Sequence, residues 1–448
     1  MPALSTPHFS DVVVIGGGIS GLGAAREAAE SGLEVDLIEA RTRLGGRIWS
    51  QTARGLHGAV ELGAEFVHGT NPEFKALTRR SGMRLDTVPR EIFELRDGRL
   101  ERSRRYWRSI SELLRRIPPN TRKPFTRFLA DWTRSVSAAD LANLREHVED
   151  FNAATVERMS AAALREDLAG ADTRQFRPRD GYSPLVKSLE TDLREAGGAI
   201  HLGTEVTRVE WEKGAVQVHT RTGEFRAKAA ILTLPLGVLK AGSVKFAPSL
   251  KAKEALIRRL GWGSVAKVVL RFKPSFWKQR LITTGEAAMR PGEIPFLLAT
   301  GAEFPVWWVP TSEPLIVGWA GGPRADPLLG RRGQDITRAA LRSLATAWGV
   351  RISVLRSHLV SSWSHDWASD PYSRGGYSFV ASGCETGPMR LAEPVARTLF
   401  FAGEATAREL GTVHGALASG IDAARQLLST RSQRRSSHRT EMTASTAV

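Results

Sequence analysis

The stretch VVVIGGGISGLGAAREAAESGLEVDLIEA, residues 12–40, predicts the start of the fold. Its apolar run from Val12 to Ile15 predicts a short, fully buried strand. The alanine-rich run from Ile19 to Glu30 predicts a helix, and Gly32 stands where a helix commonly ends. Glu34 to Glu39 predicts a second strand. The stretch is therefore a strand–helix–strand unit, in which the two strands run parallel.

The turn between the first strand and the helix contains three glycines in the spacing G-x-G-x-x-G: Gly16, Gly18 and Gly21. The first permits a tight turn, the second lets the backbone approach a pyrophosphate, and the third allows close packing of helix and strand. The helix N-terminus directs N–H groups and a partial positive charge at the phosphates. Glu39 ends the second strand, where a carboxylate accepts the ribose hydroxyls. The unit predicts dinucleotide binding, and the acid at position 39 disfavours a 2′-phosphate.

A second glycine turn follows the acidic residue in the sequence RTRLGGR, residues 41–47. The pair Gly45–Gly46 permits another close approach of the backbone to a ligand. Arg41 and Arg47 can each pair with phosphate oxygens through two hydrogen bonds. An NAD domain does not need this second anion-binding turn. These residues therefore favour FAD as the cofactor.

The rest of the chain also alternates between strand and helix patterns. Predicted helices lie at Leu185–Ala196 and Gly415–Leu428, and predicted strands at Ile200–Val218, Ala229–Leu234, Val265–Phe272, Phe296–Ala320 and Leu399–Gly403. The aromatic, proline-broken run over 296–320 predicts an antiparallel sheet in a second domain. The first and last strand–helix units both place glycine at the carboxyl end of a strand. We therefore expect both to belong to one sheet, which makes the nucleotide domain discontinuous.

The predicted fold class is α/β, with a discontinuous Rossmann-like FAD-binding domain and an inserted α+β substrate domain whose mixed sheet is flanked by helices. The predicted boundaries are 1–75, 181–262 and 391–428 for the FAD-binding domain and 76–180 and 263–390 for the substrate domain. The tail, 429–448, is rich in Ser, Thr and Arg and has no apolar period. We expect this tail to be disordered.

Composition places the chain among globular proteins of two or three domains. Its 448 residues are 42% hydrophobic and 25% charged, which excludes disordered, collagen-like and disulfide-scaffold classes. The net charge of +16 would suit a nucleic-acid partner, but the surplus is arginine spread along the whole chain. We therefore expect no nucleic-acid partner. The strongly basic stretch from Arg102 to Arg127 has a helical pattern typical of a solvated helix face, and an anion-binding patch is the alternative.

The sequence contains few targeting or cross-linking signals. Cys384 is the single cysteine, so no intramolecular disulfide can form. No cationic segment opens the chain, and no apolar run reaches the ~18 residues of a membrane span. We expect a cytoplasmic protein with no membrane span and no metal site, whereas the oligomeric state is not predicted.

Five separated blocks carry a family resemblance. They are Asp11–Ser50, Glu61–Gly69, Ile231–Leu239, Gly263–Phe272 and Trp367–Ala424. The last block contains DPYSRGGYSFVASG and FFAGEATARELGTVHGALASGIDAA, and the turn at Arg43–Arg47 resembles the R-x-G-G-R signature of FAD enzymes. Together and in this order they resemble the flavin-containing amine oxidase family, in particular its branch of polyamine oxidases and lysine-specific demethylases.

The resemblance implies FAD-dependent oxidation of an amine. A hydride equivalent passes from the carbon next to the amine to flavin N5, the imine is hydrolysed, and O2 reoxidises the flavin to give hydrogen peroxide. The implied partners are O2 and a small-molecule substrate, either a polyamine or another primary or secondary amine. This chemistry requires no nucleophilic side chain, which agrees with the lack of a Ser/His/Asp constellation.

Lys267 is a lone lysine within an apolar strand, between Ala266 and Val268. Alternation along the strand would allow this side chain to face solvent. In the family the matching lysine holds a water molecule at flavin N5. The resemblance therefore implies a buried Lys267 that can have a lowered pKa and assist proton transfer or oxygen activation.

Tyr377 and Trp367 match the family's wall beside the flavin, where aromatic rings sandwich the amine and exclude water. Ordinary core packing is the alternative for each ring. Monoamine oxidases place a second tyrosine opposite the first, whereas this chain has Thr412 there, as the polyamine branch does. Monoamine oxidases also tether FAD through a cysteine, and this chain has Gly376 at that position. The resemblance therefore implies non-covalent FAD.

Further positions match cofactor contacts of the family. These are Gly63, Ala64, Val206, Gly403, Glu404 and Val413. The backbone at Val206 would read the adenine, and the N–H groups at 412–413 would lie near the flavin pyrimidine oxygen. His68 follows in the block that passes under the flavin, where it would tune protonation of the amine, unless it is a structural histidine.

The sequence leaves the substrate open. Glu65, Glu303 and Asp366 are candidates for binding the distal amines of a polycation, but the pattern does not place them. An L-amino-acid oxidase would need an arginine for the substrate carboxylate, and the chain has many. A carotenoid-type FAD desaturase and a non-catalytic flavoprotein that binds a partner through its basic face stay as further alternatives.

Overall fold

The structure is a computed structural model that describes residues 9–69, 71–96, 98–103, 105–170, 174–284, 287–310 and 313–445. Its strands are β1 (Phe9–Ile15), β2 (Val35–Ile38), β3 (Ser50–Gln51), β4 (Val60–Glu61), β5 (Val67–His68), β6 (Leu85–Thr87), β7 (Ile92–Arg96), β8 (Arg99–Ser103), β9 (Gln175–Pro178), β10 (Ala199–His201), β11 (Val206–Glu212), β12 (Ala215–Thr220), β13 (Glu224–Leu232), β14 (Lys245–Ala247), β15 (Gly261–Gly263), β16 (Val265–Phe272), β17 (Ile282–Thr283), β18 (Ala288–Met289), β19 (Phe296–Leu298), β20 (Val306–Trp308), β21 (Leu315–Gly321), β22 (Leu359–Ser364), β23 (Tyr377–Phe379) and β24 (Leu399–Phe401). Its helices are α1 (Ile19–Glu30), α2 (Pro72–Arg80), α3 (Tyr106–Arg115), α4 (Phe125–Trp132), α5 (Ala138–Glu146), α6 (Ala161–Gly170), α7 (Ser183–Glu195), α8 (Leu236–Lys240), α9 (Lys251–Arg259), α10 (Pro274–Trp277), α11 (Gly333–Trp348), α12 (Ile352–His358), α13 (Gly387–Ala392) and α14 (Val413–Ser445).

The chain divides into two compact units. The first contains Met1–Gly46, Leu185–Arg258 and Thr386–Val448, and the second contains Arg47–Pro184 and Arg259–Glu385. The chain thus first passes from one unit to the other after Gly46, whereas the sequence pattern predicts this boundary after residue 75. The difference arises because the short strands that follow pair inside the second unit: β3 with β4, and β5 with β9.

The first unit is built on a largely parallel sheet. Its strand order is β10-β2-β1-β13-β12-β11-β14, and β24 pairs with the carboxyl end of β13. The four residues Val12–Ile15 are almost fully buried, as expected for a central parallel strand covered on both faces. Gly214 lies in the tight connection between the antiparallel strands β11 and β12, with a φ of +89°. The register confirms the predicted α/β class and the shared sheet of the first and last strand–helix units.

Helices α1 and α14 pack closely in the first unit because each has a glycine at the contact. A Cβ at Gly23 of α1 would lie 2.6 Å from the Leu417 side chain, and a Cβ at Gly420 of α14 would overlap the Ser20 carbonyl oxygen. Small residues thus let the two backbones approach. The N-terminal and C-terminal segments of the chain therefore form one packed layer.

The final helix is longer than the sequence pattern predicts. The pattern places the helix at Gly415–Leu428 and a disordered tail at 429–448, whereas α14 continues to Ser445. The prediction relied on the missing apolar period, but the hydrogen bonds of a helix are internal and do not require a buried face. At the start of this extension Arg431 donates a hydrogen bond of 2.9 Å to Asp11 of β1. Residues 446–448 lie outside the described part of the chain.

The second unit is built on a mixed seven-stranded sheet with the order β22-β16-β21-β20-β19-β7-β8. All neighbours are antiparallel except β19 and β7. The run over 296–320 forms the antiparallel strands β19, β20 and β21, as predicted. The predicted strand Val265–Phe272 coincides with β16.

The central strands of this sheet are buried on both faces: seven of the eight residues of β16 and six of the seven residues of β21 are buried. Along β16, Val268 and Leu270 pack in a cluster with Leu344 and Leu355 of α11 and α12. Val269, one position out of phase, packs on the opposite face in a cluster with residues of α3 to α6. Lys267 has the same parity as Val269 and therefore lies on the face toward α3–α6.

The basic stretch over 102–127 has the predicted helical character, with α3 and α4 on either side of Pro118 and Pro119. Helix α3 buries Tyr106, Ile110, Leu113 and Leu114 and exposes its arginines to solvent. This arrangement matches the expected solvated face. Within the described residues, no helix is long and apolar enough to cross a bilayer.

Candidate functional site

The turn after β1 shows what each glycine of the first motif does. Gly16 has a φ of +111°, and a Cβ there would lie 2.6 Å from the Thr233 hydroxyl oxygen. A Cβ at Gly21 would overlap the Gly16 carbonyl oxygen. Among the described residues, no atom lies within 4 Å of a Cβ placed at Gly18. Gly16 and Gly21 are therefore required by packing, whereas Gly18 borders open space that a ligand can occupy.

The N-terminus of α1 fits an anionic group. The helix begins after Gly18, no side chain of the described residues caps it, and its first turn has no acidic residue. Its first N–H groups thus point at the open space beside Gly18 with the positive end of the helix dipole behind them. This cradle suits a pyrophosphate.

Glu39 lies at the carboxyl end of β2, beside the glycine turn. Its two carboxylate oxygens accept hydrogen bonds from the Gly17 N–H at 2.6 Å and the Arg41 N–H at 2.8 Å. Burial raises the pKa of Glu39 above its ordinary value, against the opposing effect of these N–H groups and of Arg41 and Arg43. The carboxylate is therefore fixed where the sequence predicts the ribose acid.

The second glycine turn folds onto the first. The Gly45 N–H donates to the Gly17 carbonyl at 2.8 Å, and Gly46 has a φ of +59°. A Cβ at Gly46 would lie 3.2 Å from the Gly18 Cα. Arg47 opens the second unit, where its guanidinium donates to the Gly376 carbonyl at 2.8 Å. The phosphate contacts of the Arg41 and Arg47 side chains stay predictions.

The end of β24 adds a further turn to the first unit. Gly403 has a φ of +131°, and a Cβ there would meet no protein atom within 4 Å. Glu404 is buried and accepts a hydrogen bond of 3.1 Å from the Gly411 N–H. Val413 begins α14, and Val206 begins β11. The turn therefore combines an open backbone at Gly403 with a helix N-terminus at Val413.

Thr412 is the N-cap of α14. Its hydroxyl oxygen accepts from the Gly415 N–H at 3.1 Å, and its hydroxyl donates to the Glu409 carbonyl at 2.8 Å. We expect Thr412→Ala to lower the free energy of unfolding by about 1 kcal/mol, because an N–H of the first turn loses its acceptor. Urea unfolding measures the loss. Thr412→Ser retains the cap and is the control, so equal losses in both variants would contradict the capping role.

Lys267 is buried in the second unit, with 4% of its surface exposed, so the solvent-facing alternative is wrong. Its ammonium donates to the Gly63 carbonyl at 3.0 Å and to a Glu65 carboxylate oxygen at 2.7 Å. The Trp308 ring lies 5.8 Å from the ammonium nitrogen. Lys267 is thus held by the block that the sequence predicts to pass under the flavin.

Glu65 is surrounded by hydrogen-bond donors. Its second carboxylate oxygen accepts from the Trp308 indole N–H at 2.8 Å and lies 3.0 Å from the Arg177 Nε. Burial raises the pKa of Glu65, but Lys267 and Arg177 outweigh burial and hold it below its ordinary value. Glu65 is therefore a buried carboxylate shared between two cations.

The aromatic residues of the predicted wall lie in one cluster of the second unit. Trp367 is buried, donates to the Leu62 carbonyl at 2.9 Å and packs edge-on against Trp49. Tyr377 donates to the Phe151 carbonyl at 2.8 Å and stacks on Trp319, with 6.4 Å between ring centroids and 12° between planes. Both rings therefore lie in the same apolar cluster.

Sequence reasoning missed Trp319 and Arg177. Trp319 is the direct cross-strand partner of Lys267, because β16 and β21 pair in that register. Once the pairing of β16 with β21 is known, the alternation of side chains along the run over 296–320 places Trp319 on the same face of the sheet as Lys267. Arg177 comes from β9, which follows an unrelated helix, and no local pattern links it to Glu65.

The remaining predicted positions of the second unit surround the same chain segment. A Cβ at Gly63 would overlap the Arg47 carbonyl oxygen, and the Ala64 N–H donates to that oxygen at 3.2 Å. His68 is exposed in β5, with its ring 6.3 Å from the Phe66 ring. Its role at a substrate amine stays a prediction.

The three acidic candidates for distal amines all have protein partners. Glu65 bridges Lys267 and Arg177, as described above. Glu303 pairs with Arg331 at 3.1 Å and with Arg342 at 2.6 Å. Asp366 accepts from backbone N–H groups of the following turn and from the N–H of Gly330. Cations thus compensate the charges of Glu65 and Glu303, and hydrogen-bond donors occupy both carboxylate oxygens of Asp366.

Glu61, at the end of β4, is a second buried carboxyl near this network. One oxygen accepts from the Ser50 hydroxyl at 2.6 Å and from the Tyr182 N–H at 2.7 Å. The other oxygen is buried without a hydrogen-bond partner among the described residues. Burial raises the pKa of Glu61 from 4.5 to about 7. Glu61 is therefore largely protonated in mildly acidic solution.

This raised pKa predicts a stability that falls with rising pH. Above pH 4.5 the unfolded chain releases the Glu61 proton while the folded chain retains it up to about pH 7. The free energy of unfolding should therefore fall, on the order of 2 to 3 kcal/mol, between about pH 5 and pH 8. Urea titrations at both pH values measure it. Glu61→Gln keeps the carbonyl acceptor and should reduce this fall; an unchanged pH dependence in that variant would contradict the assignment.

The whole-chain comparison defines the family. The sequence model of flavin containing amine oxidoreductases matches residues 19–428. The chain therefore belongs to this family, which confirms the predicted resemblance and implies a flavin cofactor. Gly18, the α1 N-terminus and Glu39 fit the nucleotide portion of such a cofactor.

Curated relatives lie in both parts of the predicted branch. The lysine-specific histone demethylase 1 homolog 2 of Arabidopsis thaliana is 30% identical over 93% of this chain and 58% of its own length. The chain thus spans little more than half the length of this relative, and 53% of a second Arabidopsis demethylase homolog. Polyamine oxidase 2 of Arabidopsis thaliana is 29% identical over 92% of this chain and 87% of its own length.

Solved structures support the fold. The chain is similar to a putrescine oxidase determined with bound putrescine, with a TM-score of 0.76 over 94% of this chain and 99% of that chain. A double mutant of putrescine oxidase gives a TM-score of 0.75. The sequence identities are 19% and 20%, so these likenesses concern the fold.

Proposed function

We propose that the protein is an FAD-dependent amine oxidase that oxidises a C–N bond of a small amine and reduces O2 to hydrogen peroxide. The observation that carries the proposal is the buried Lys267, held between Gly63 and Glu65 on the aromatic face of the second unit. A lysine in that environment has no packing advantage over an apolar residue. The presence of a lysine at this buried position therefore supports a chemical role.

The bound flavin would supply the redox chemistry, accepting a hydride equivalent from the amine carbon and passing electrons to O2. The chain would supply the surroundings. Tyr377 and Trp319 form a stacked pair that can confine an apolar substrate carbon. Lys267 would hold a water molecule through the ammonium hydrogen that its two protein acceptors leave unused.

The proposed cofactor contacts come from the first unit. The α1 N-terminus beside Gly18 would bind the pyrophosphate, and Glu39 would accept the ribose hydroxyls. The N-terminus of α14 would add further N–H donors. The Gly403 N–H donates to the Ser419 hydroxyl, so Gly403 would contribute space for the ligand and not a donor. In this arrangement the pyrophosphate would face N–H groups, and the ribose hydroxyls would face the Glu39 carboxylate.

Non-covalent attachment follows from Gly376, which stands where monoamine oxidases have their tethering cysteine. Glycine has no side chain that could bond to the flavin. We expect trichloroacetic acid to release all flavin into the supernatant, measured by its absorbance after the protein is pelleted. The pelleted protein of a covalently flavinylated enzyme is the positive control. Flavin in the pellet of this protein would refute non-covalent binding.

The substrate class is tested by anaerobic reduction of the flavin. Spermine, a monoamine, an L-amino acid and a carotenoid precursor are each added to the purified protein, and the flavin absorbance is followed. Bleaching by an amine is the expected result. Failure of a broad amine panel to bleach the flavin would remove the proposal, and bleaching by the carotenoid precursor alone would indicate a desaturase.

A second candidate is an L-amino-acid oxidase. The observation that favours it is the engagement of Glu65, Glu303 and Asp366 by protein partners, because a polyamine needs a carboxylate for its distal charge. An amino acid has a single ammonium group and needs an arginine instead. Bleaching by the L-amino acid without bleaching by spermine would select this candidate.

A further inference from the structure

We propose that Glu65 is the positioning residue of Lys267, whose place and charge in the interior depend on the Glu65 carboxylate. The inference deepens the proposed function and rests on it, because it assumes that Lys267 acts on the flavin reaction. Glu65 itself would act only through Lys267. The two residues lie in the second unit and are joined by a hydrogen bond of 2.7 Å.

The first step of the argument is the geometry at the lysine. An ammonium group has three hydrogens. Among the described residues, the Lys267 ammonium donates to two acceptors, the Gly63 carbonyl at 3.0 Å and the Glu65 carboxylate at 2.7 Å. Two fixed acceptors determine the direction of the third N–H bond. The direction in which Lys267 can hold a water molecule therefore depends on Glu65.

The second step is the rigidity of the carboxylate. The Glu65 oxygen that does not contact Lys267 accepts from Trp308 at 2.8 Å and lies 3.0 Å from the Arg177 Nε. Arg177 is held in turn, because its guanidinium donates to the Val309 and Pro310 carbonyls. A carboxylate fastened at both oxygens cannot rotate away from the lysine. Contacts with residues of β20 and β9 thus hold the Glu65 carboxylate in place, and this carboxylate in turn holds the Lys267 ammonium.

The third step is the charge balance. The side chains of Lys267, Glu65 and Arg177 are 3%, 4% and 10% exposed, so water screens their charges poorly. Glu65 is the shared anion of two cations. Removing a single partner from a buried ion pair leaves an uncompensated charge, which is strongly unfavourable. Without Glu65, the buried cations Lys267 and Arg177 would lose their shared anion, and the Lys267 ammonium would lose one of its two hydrogen-bond acceptors.

A substrate-free reaction tests the proposal. The bound flavin is photoreduced without oxygen, mixed with O2, and its reoxidation is followed against pH in the wild type, Glu65→Gln, Lys267→Met and the double variant. We expect Glu65→Gln to slow reoxidation by at least about fivefold and to change the pH profile of the reoxidation rate. In the Lys267→Met background, Glu65→Gln should cause no further loss. Equal fold-losses in both backgrounds would overturn the proposal, as would a wild-type rate and profile in Glu65→Gln.

Glu303→Gln is the matched control, because Glu303 also bridges two cations, Arg331 and Arg342, but at the protein surface. It should leave the reoxidation rate and its pH profile unchanged. A loss equal to that of Glu65→Gln would assign the effect to general destabilisation and overturn the proposal.

Two further measurements keep the test decisive if Glu65→Gln loses its flavin. Glu65→Asp retains the charge but is one methylene shorter, so we expect a reduced rate with the wild-type pH profile; a wild-type rate would overturn the proposal. Urea unfolding of the four apoproteins should show non-additive losses for Glu65 and Lys267. Additive losses would overturn it. Because reoxidation requires no amine, the amine panel can fail without affecting this result.

Discussion

Lys267→Met is expected to slow either flavin reduction by an amine or flavin reoxidation by O2 by about tenfold or more. Methionine fills a similar volume but has no N–H donor, so the water that Lys267 would hold loses its anchor. The fold should tolerate the change, because Arg177 stays beside Glu65 as a counter-charge. Stopped-flow measurements of each half-reaction separate the two steps.

Lys273→Met provides the control for this prediction. Lys273 follows the same strand, β16, but is exposed and donates to the Ser357 carbonyl at 2.9 Å. The substitution there should leave both half-reactions at wild-type rates. If Lys267→Met also leaves both rates unchanged, Lys267 has only a structural role, and the observation on which the proposed function rests is lost.

The second large effect is expected at the glycine turn of the first unit. Gly21→Ala should destabilise the protein by about 3 kcal/mol or abolish folding, because the added Cβ would overlap the Gly16 carbonyl oxygen. The overlapping atom is backbone and cannot move aside without opening the turn. The yield of soluble protein and the urea midpoint measure the effect.

Gly18→Ala separates folding from cofactor binding. A Cβ at Gly18 would meet no atom within 4 Å in the part of the chain that the structure describes, so this variant should fold with a near wild-type urea midpoint. It should nevertheless lose most of its flavin, since the methyl group would occupy the space proposed for the pyrophosphate. Full flavin occupancy in Gly18→Ala would show that the ligand does not approach this glycine.

The sequence predicted the first unit well where its signals are local. The strand over 12–15, the helix Ile19–Glu30 and the acid at position 39 lie within one short stretch, and each has its own pattern. The hydrogen bonds that join them, such as that from Gly17 to Glu39, span few residues. Because these residues are close together in the chain, their relative positions could be predicted from the local sequence.

The lysine network was only half predictable, because its members come from distant segments. Glu65 and Lys267 are 202 residues apart, and Glu65 and Trp308 are 243 apart. The resemblance indicated Lys267, but pairing it with Glu65 requires the fold of the block over 61–69 against β16. Nothing in the local pattern around Arg177 distinguishes it from the many solvated arginines.

The first unit boundary was predicted too late in the chain for a related reason, whereas the other three lie close to the predicted ones. The segment over 47–75 follows the nucleotide motif directly, so continuity placed it in the first unit, whereas its short strands find their partners β4 and β9 in the second. The tail over 429–448 was predicted to be disordered because its sequence has no apolar period. A helix that is propagated from a packed segment such as α14 does not depend on that signal.

The close packing of α1 against α14 has a consequence for synthesis on the ribosome. The second unit ends at Glu385, whereas the first needs β24 and the α14 segment around Gly420 before its sheet and helix layer are complete. The nucleotide cradle, which begins with β1 and α1, is therefore completed only after the whole second unit has been synthesised. A chain truncated before residue 400 should accordingly contain a folded second unit beside an incomplete first unit.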